Sequence, residues 1–223
     1  MEIYNSQKFE TIKTEYINNW LYIRLNRPER KNALSKKMIN ELLTIIQLSA
    51  FEKKIRGILL TGEGESFCSG ADLNEFKSFF SNGKPNKNQV ISSSLEVAKL
   101  LQSFYFFPKI VIVCINGPAF AGGFGLACCS DFIFSTEVSK FGITEVKIGL
   151  TPAQIAPYVI NRIGLKNTRK LMLTGDIIDT SEGLKNGLLD KIFKNENEMF
   201  SYVDHFIKKL SSGSPNAIKV TKR

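Results

Sequence analysis

The sequence predicts an α/β fold with crossover connections, and two observations carry that prediction. Short apolar, β-branched runs at Gly57 to Thr61 and Ile110 to Ile115 read as buried strands, each followed by turn residues and a helical segment. Strand and helix then alternate along the chain with no compositional break that would mark a second domain. The last third is progressively more helical, so residues 1–165 read as the α/β core and 166–223 as a helical C-terminal region.

The elements follow in order. Phe9 to Ile17 and Trp20 to Asn26 alternate apolar and polar residues across Asn18-Asn19, which is a hairpin pattern. A polar loop with a basic cluster, Arg27 to Asn32, leads to Ser35. That serine is placed to cap a helix reaching about Lys53, buried through Met38, Ile39, Leu42, Leu43, Ile45 and Ile46. After the strand at 57–61 come Gly62-Glu63-Gly64-Glu65 and then Ser66 to Leu73, small residues entering an acidic helix start. Residues 81–89 are turn formers and charges, read as a mobile surface loop. Helical periodicity resumes from Leu95 to Phe107.

Residues 109–131 are the most distinctive stretch. A buried strand, Ile110 to Ile115, meets the turn Asn116-Gly117-Pro118, and Ala121 to Cys129 reads as a helix with Gly122 and Gly123 in its first turn. Free N–H groups at such an end can hold a phosphate, a carboxylate or the oxyanion of a polarised carbonyl; glycines that merely permit tight packing are the plainer reading. Phe132 to Ser135 is a short strand. Phe141 to Leu150 is an apolar segment carrying one acid, Glu145. Thr151 and Pro152 read as the cap and first residue of a helix toward Arg162, with further helical pieces at 168–173, 181–187 and 198–210.

Composition narrows the function classes. With 223 residues, 43% hydrophobic and 23% charged, the chain can bury a substantial core. No apolar run has the length of a membrane span, and the N-terminal residues lack the pattern of a signal peptide, so the expected location is cytoplasmic. Cys68, Cys114, Cys128 and Cys129 form no metal spacing and read as free buried thiols, with no metal expected. The one histidine, His205, lies in an amphipathic stretch, so chemistry rests on carboxylates, lysines or backbone dipoles. A net charge of +9 favours anionic partners, but no nucleic-acid motif accompanies it. Among the acids, Glu145 has apolar neighbours that would raise its pKa toward a value useful for proton transfer; a surface glutamate on an edge strand is the equal alternative. Asp72 and Asp131 read as caps. Dinucleotide, Walker A and nucleophile-elbow templates all fail.

Four segments together carry a family resemblance: Asn26 to Leu34, Phe67 to Leu73, Asn116 to Gly123, and Phe141 to Pro152. In that order, over nearly the whole chain, they resemble the crotonase (enoyl-CoA hydratase/isomerase) superfamily. The resemblance implies a crotonase-type spiral of ββα units, homotrimers or homohexamers, and an acyl-CoA thioester substrate whose coenzyme A is the only cofactor-like group. Carried over residue by residue, it makes the backbone N–H groups of Ala71 and Gly122 an oxyanion hole and Glu145 the acid–base group. It also sets Arg30, Lys31, Ser69, Gly70, Asp72 and Leu73 along the CoA moiety.

Two departures from the family pattern stand out. Hydratases carry two glutamates, and the first of those positions is Gly125 here. Bacterial 3-methylglutaconyl-CoA hydratase-like members resemble this chain in having glycine there, and the expected reaction is hydration of a 2-enoyl-CoA, branched or glutaconyl-type. A single-glutamate Δ3,Δ2-enoyl-CoA isomerase is the same-fold alternative. A non-catalytic RNA-binding homologue, using Lys31, Lys36 and Lys37 as a basic strip, is the alternative of another class. The second departure is that Ser214 to Arg223 looks like the start of a segment other members continue.

Overall fold

The computed structural model describes residues 9–78, 80, 81 and 84–222. Asn18 and Asn19, both with positive φ (49° and 67°), fold β1 (Ile12–Ile17) back on β2 (Trp20–Leu25), the backbone that a twisted two-residue hairpin turn requires. Ser35 caps α1 (Lys36–Phe51), its Oγ accepting from the Met38 N–H at 3.2 Å. Then come β3 (Gly57–Gly62), α2 (Leu73–Ser78), the small antiparallel pair β4 (Phe80–Ser81) and β5 (Lys84–Pro85), and α3 (Lys87–Tyr105). The middle of the chain gives β6 (Ile110–Ile115), β7 (Ala119–Phe120), α4 (Gly122–Cys128), β8 (Phe132–Thr136) and β9 (Phe141–Gly142). The remainder is α5 (Ala156–Thr174), β10 (Ile177–Ile178), α6 (Thr180–Lys185), β11 (Lys191–Phe193), α7 (Glu196–Ser211) and α8 (Pro215–Thr221).

Six strands form the main sheet in the order β1-β2-β3-β6-β8-β11. Only the β1–β2 pair is antiparallel; the rest are parallel neighbours reached by crossovers. A parallel sheet of this kind is covered on both faces, and β6 shows how. Val111, Val113 and Ile115 enter the larger core with α1, α3, α4 and α5, while Ile110, Ile112 and Cys114 point into a second core closed by Met199, Val203 and Ile207 of α7. The run reads as continuously apolar because each side of the strand meets a different layer.

The last 58 residues share in this architecture through β11 on β8 and β10 on β9. The chain end is also tied down: Trp20 Nε1 donates to Ser211 Oγ at 3.0 Å, and Lys222 Nζ to Asp131 Oδ2 at 2.7 Å. Asp131 accepts from the Val111 N–H as well, at 2.7 Å, so it is a structural acceptor. Among the described residues no helix is long and apolar enough to cross a membrane.

Three local expectations give way. The α3 helix begins at Lys87, not Leu95, because Asn86 Oδ1 caps it through the Gln89 N–H; the loop expected at 81–89 therefore narrows to the β4–β5 turn, where residues 82 and 83 lie outside the described set. Thr151 and Pro152 do not open a helix; α5 starts at Ala156 after a turn in which the Ala156 N–H bonds the Pro152 carbonyl. The edge-strand alternative for Glu145 also fails. Beyond the two residues of β9 the chain turns into a 3-10 helix, Glu145–Ile148, ended by Gly149 at φ 75°. Apolar content marked that segment as packed but could not distinguish strand from tight helix.

Candidate active site

Two asparagines set the frame. Asn32, fully buried with φ 53°, accepts from the Arg27 N–H at 2.8 Å and donates to the carbonyls of Glu63 (2.9 Å) and Ser66 (2.7 Å). Asn116 accepts from the Gly62 N–H and donates to the Gly64 carbonyl. Together they fix the turn after β3, and so where residues 67–71 leave it. The sequence marked both only as turn residues; their burial is what shows the anchoring role.

From that turn, Cys68 pairs with β7, its carbonyl taking the Phe120 N–H at 2.9 Å. Gly70 follows at φ 94°, a conformation that favours glycine. Leu34 bridges Ala71 in parallel fashion, donating to the Gly70 carbonyl and accepting from the Asp72 N–H, which leaves the Ala71 N–H pointing the opposite way. Across from it α4 begins. A Cβ built on Gly123 would lie 2.3 Å from the Cys68 carbonyl oxygen, so only glycine lets α4 come this close. A Cβ on Gly122 would meet nothing nearer than 3.5 Å and would stand 3.8 Å from the Ala71 nitrogen.

The two residues whose N–H groups the resemblance names thus lie on backbone segments packed against each other. Among the described residues, neither donates a hydrogen bond to the protein. Such a pair of preorganised donors can hold an oxygen on which negative charge develops. Ala121, at φ 49° and ψ −122°, supplies the sharp backbone turn between β7 and α4 and is held by its N–H to the Gly142 carbonyl at 2.9 Å.

That last bond also locates Glu145. β9 lies parallel to β7, and three residues past Gly142 the 3-10 helix starts with Glu145. One carboxylate oxygen of Glu145, Oε2, is buried without a partner among the described residues. Burial lifts its pKa above the ordinary carboxyl value, and the hydrogen bond from its own backbone N–H offsets only part of that. A carboxyl with its pKa raised in this way is better suited to both accept and return a proton than an exposed one.

The other sequence-named residues have mixed situations. Asp72 is buried and fully engaged: Oδ2 pairs with Arg27 at 2.9 Å and Oδ1 caps α2 through the Asn74 N–H. Burial alone would raise its pKa, but Arg27 and the N–H groups of Asn74 and Glu75 outweigh it and hold the carboxyl below the usual range. Its side chain is structural, and Leu73 beside it is half exposed. Arg30 and Lys31 are exposed on the loop after β2, and the Lys31 carbonyl takes the Ser69 N–H at 3.0 Å, which holds that loop beside the Ser69–Gly70 segment. Lys36 and Lys37 each face an acid, Glu96 and Glu10, which neutralises much of the proposed basic strip. All four thiols are buried, and burial pushes Cys68 and Cys128 up to about 12, far from a nucleophile's range.

At Gly125 the sequence left an open question that the packing answers. The space a side chain would take is filled by Ile155, and Gln154 beside it donates to Ser94 on α3. No second acid stands at that point.

A family profile for enoyl-CoA hydratase/isomerase matches residues 15–223. The chain belongs to the enoyl-CoA hydratase/isomerase family. It is 32% identical over 195 residues to the enoyl-CoA hydratase AKT6-1 of Alternaria alternata, covering 87% of this chain but 62% of that protein. Among solved structures it is similar to an enoyl-CoA hydratase from Shewanella pealeana, with a TM-score of 0.92, 30% identity, and coverage of 99% of this chain and 81% of that one. An enoyl-CoA hydratase/isomerase from Marinobacter aquaeolei gives 0.89 at 32% identity, covering 95% and 81%. The fold is the crotonase fold, and the chain is a member of the crotonase superfamily.

Proposed function

We propose that this family member is a hydro-lyase that adds water across the double bond of a 2-enoyl-CoA, with Glu145 as its single acid–base residue. The observation that carries the reading is the buried Oε2 of Glu145, without a partner among the described residues, on the segment that β9 joins to the β7–α4 turn. The hydratase names of its relatives support it as well.

In this reading the thioester oxygen lies between the N–H groups of Ala71 and Gly122. Glu145 takes a proton from water while the water oxygen bonds to C3. The π electrons move to C2 and the carbonyl, giving an enolate whose charge the two N–H groups stabilise, each by ~3–4 kcal/mol. Glu145 then returns the proton to C2, so one water is added in full and the carboxylate is regenerated. Arg30 and Lys31 meet the CoA phosphates, and the backbone from Ser69 to Leu73 follows the adenine and pantetheine.

A second reading is favoured by Ile155. Its apolar side chain where a second acid would hold water suits a Δ3,Δ2-isomerase, in which Glu145 moves one proton between C2 and C4. Incubation with a 2-enoyl-CoA, followed by mass spectrometry, separates the two. A mass gain of one water establishes the hydratase. An unchanged 2-enoyl-CoA, with conversion of a 3-enoyl-CoA to the 2-enoyl isomer, overturns it in favour of the isomerase. Absence of turnover together with a salt-sensitive RNA complex would move the chain to the binding class.

A further inference from the structure

We infer that the end of the sheet opposite the candidate active site is a docking surface for a bilayer rich in anionic phospholipid, with Phe51 as an apolar anchor among lysines. The surface is independent of the reaction proposed above. The candidate site is built from segments that follow the carboxyl ends of β3 and β6. At the amino ends of the parallel strands β2, β3 and β6 the chain gathers positive charge instead. Lys53 and Lys54 stand exposed in the turn between α1 and β3, and Lys208 and Lys209 are exposed in the last turn of α7. Arg56 ties these two groups together: just before β3, its guanidinium donates to the Ser211 carbonyl at 3.0 Å and to that of Gly213, at the close of α7. Lys109, just before β6, donates to the Ser49 and Glu52 carbonyls at the end of α1, both at 2.6 Å. Burial lowers its pKa only to about 8, so it stays charged at neutral pH.

Few acids answer these cations. Asp131 and Asp190, at the same end, are already paired with Lys222 (2.7 Å) and Arg162 (2.6 Å). Glu52 remains, and among the described residues none of the cations named above forms a salt bridge. Phe51, the last residue of α1, is 89% exposed two positions before Lys53, and Leu48 lies three residues earlier on the same helix at 41%. A ring held that far into solvent adds little to the core, whereas a lipid interface would bury its apolar area. Two features favour lipid over nucleic acid. Leu48 is aliphatic and has no π-face on which a base could stack. The exposed cations named above are all lysines, compact charges suited to a diffuse anionic surface rather than to bidentate pairing. A protein docked in this way keeps the end that carries Ala71 and Gly122 open to solvent.

Co-sedimentation of the full chain with vesicles tests this, using phosphatidylcholine alone and phosphatidylcholine mixed with phosphatidylglycerol, at low and high salt. The protein is expected to sediment with the mixed vesicles at low salt, to bind pure phosphatidylcholine about tenfold more weakly or worse, and to be released by salt. Phe51→Ser, Lys53→Gln and Lys54→Gln alter exposed side chains, so melting temperature and any acyl-CoA turnover should stay at wild-type values. The two glutamine variants are each expected to weaken vesicle binding by about fivefold, the worth of one lysine near an anionic surface, and Phe51→Ser by a similar or larger factor. Lys194→Gln, the same charge change just past the carboxyl end of β11, is the control and is expected to bind as wild type does. Equal weakening by Lys194→Gln and Lys53→Gln would show attraction by net charge alone and overturn the inference. Failure to sediment with the mixed vesicles overturns it too, whether or not the chain retains single-stranded RNA in a salt-sensitive way. So does vesicle binding unmoved by Phe51→Ser, or a change of oligomeric state in that variant, which would make this face a contact between copies.

Discussion

A Cβ on Gly125 would lie 2.1 Å from Cγ2 of Ile155 and 2.5 Å from its Cβ, so the two residues occupy a single side-chain volume between α4 and the start of α5. Ile155 is 3% exposed and belongs to the main core. Ala is favoured over Gly in a helix by ~1 kcal/mol, but the clash here reaches the Cβ of Ile155, which no rotamer change can move. Overpacking of this kind costs ~1–3 kcal/mol, so Gly125→Ala is expected to lower the melting temperature. Ile155→Ala alone costs ~2–5 kcal/mol through the cavity it leaves. The double variant is expected to be somewhat more stable than the sum of the single effects predicts, because Ile155→Ala removes the Cγ2 contact while the close approach to its Cβ remains. Additive effects in thermal denaturation would show that the two side chains do not share that volume.

Gly122 and Gly123 are adjacent but predicted to respond in opposite ways. A methyl group at Gly123 meets the Cys68 carbonyl oxygen at 2.3 Å, and Gly123→Ala is expected to destabilise the protein, forcing α4 off the 68–70 segment. A methyl at Gly122 finds room, with Leu34 Cδ1 at 3.5 Å, yet stands 3.8 Å from the Ala71 nitrogen, in the space assigned to the thioester oxygen. Gly122→Ala is therefore expected to fold with a melting temperature within a few degrees of wild type while losing ~10²–10³ in kcat, the scale of one oxyanion donor. Full activity in a folded Gly122→Ala protein would remove this space from the mechanism.

How much of this was visible in the sequence depends on the kind of residue. Strands such as Ile110 to Ile115 and the helix capped by Ser35 were legible because burial and capping leave periodic, local signals. The proposed pair Ala71 and Gly122 came only from the family resemblance, since in that reading both would act through the backbone and neither side chain advertises a role. Ile155 could not be read at all. It belongs to an apolar segment like many others, and its significance comes from a neighbour 30 residues earlier. Asn32 is a similar case, a loop asparagine that is itself fully buried and ties three backbone groups together.

Asn32 therefore offers a test of the scaffold rather than the chemistry. Asn32→Ala leaves the part-buried Glu63 carbonyl and the buried Ser66 carbonyl without this donor, at roughly 1–3 kcal/mol for the buried one. It also places alanine at φ 53°, where asparagine is tolerated far better. The expected result is a clear loss of stability in denaturant titration together with a reduced kcat, because the turn it anchors sets the position of Ala71. A variant as stable as wild type would mean that Asn116 alone holds the turn.

Glu145 links chemistry to stability with a definite sign. Its folded pKa is raised by burial, so between the ordinary carboxyl value and the raised one the folded state holds a proton that the unfolded chain has released. Stability contributed by this group is complete below that window and is lost as pH rises through it. Above it, the fold carries a buried carboxylate oxygen with no partner among the described residues. Glu145→Gln removes the charge and keeps the shape. The variant is expected to melt at a higher temperature than wild type at neutral pH, with the gap closing as pH falls below the ordinary carboxyl pKa. Its hydration rate is expected to drop by ~10²–10⁴, the usual contribution of a positioned acid–base group, with CoA-ester binding retained. In the wild type, kcat should fall on acidification with a midpoint above the ordinary carboxyl value, because the reaction starts from the charged form. Melting curves and pH–rate profiles on the same two proteins decide the matter: a variant that gains no stability at neutral pH, or a wild-type acid limb at the ordinary carboxyl pKa, would show that Glu145 is not the buried base proposed.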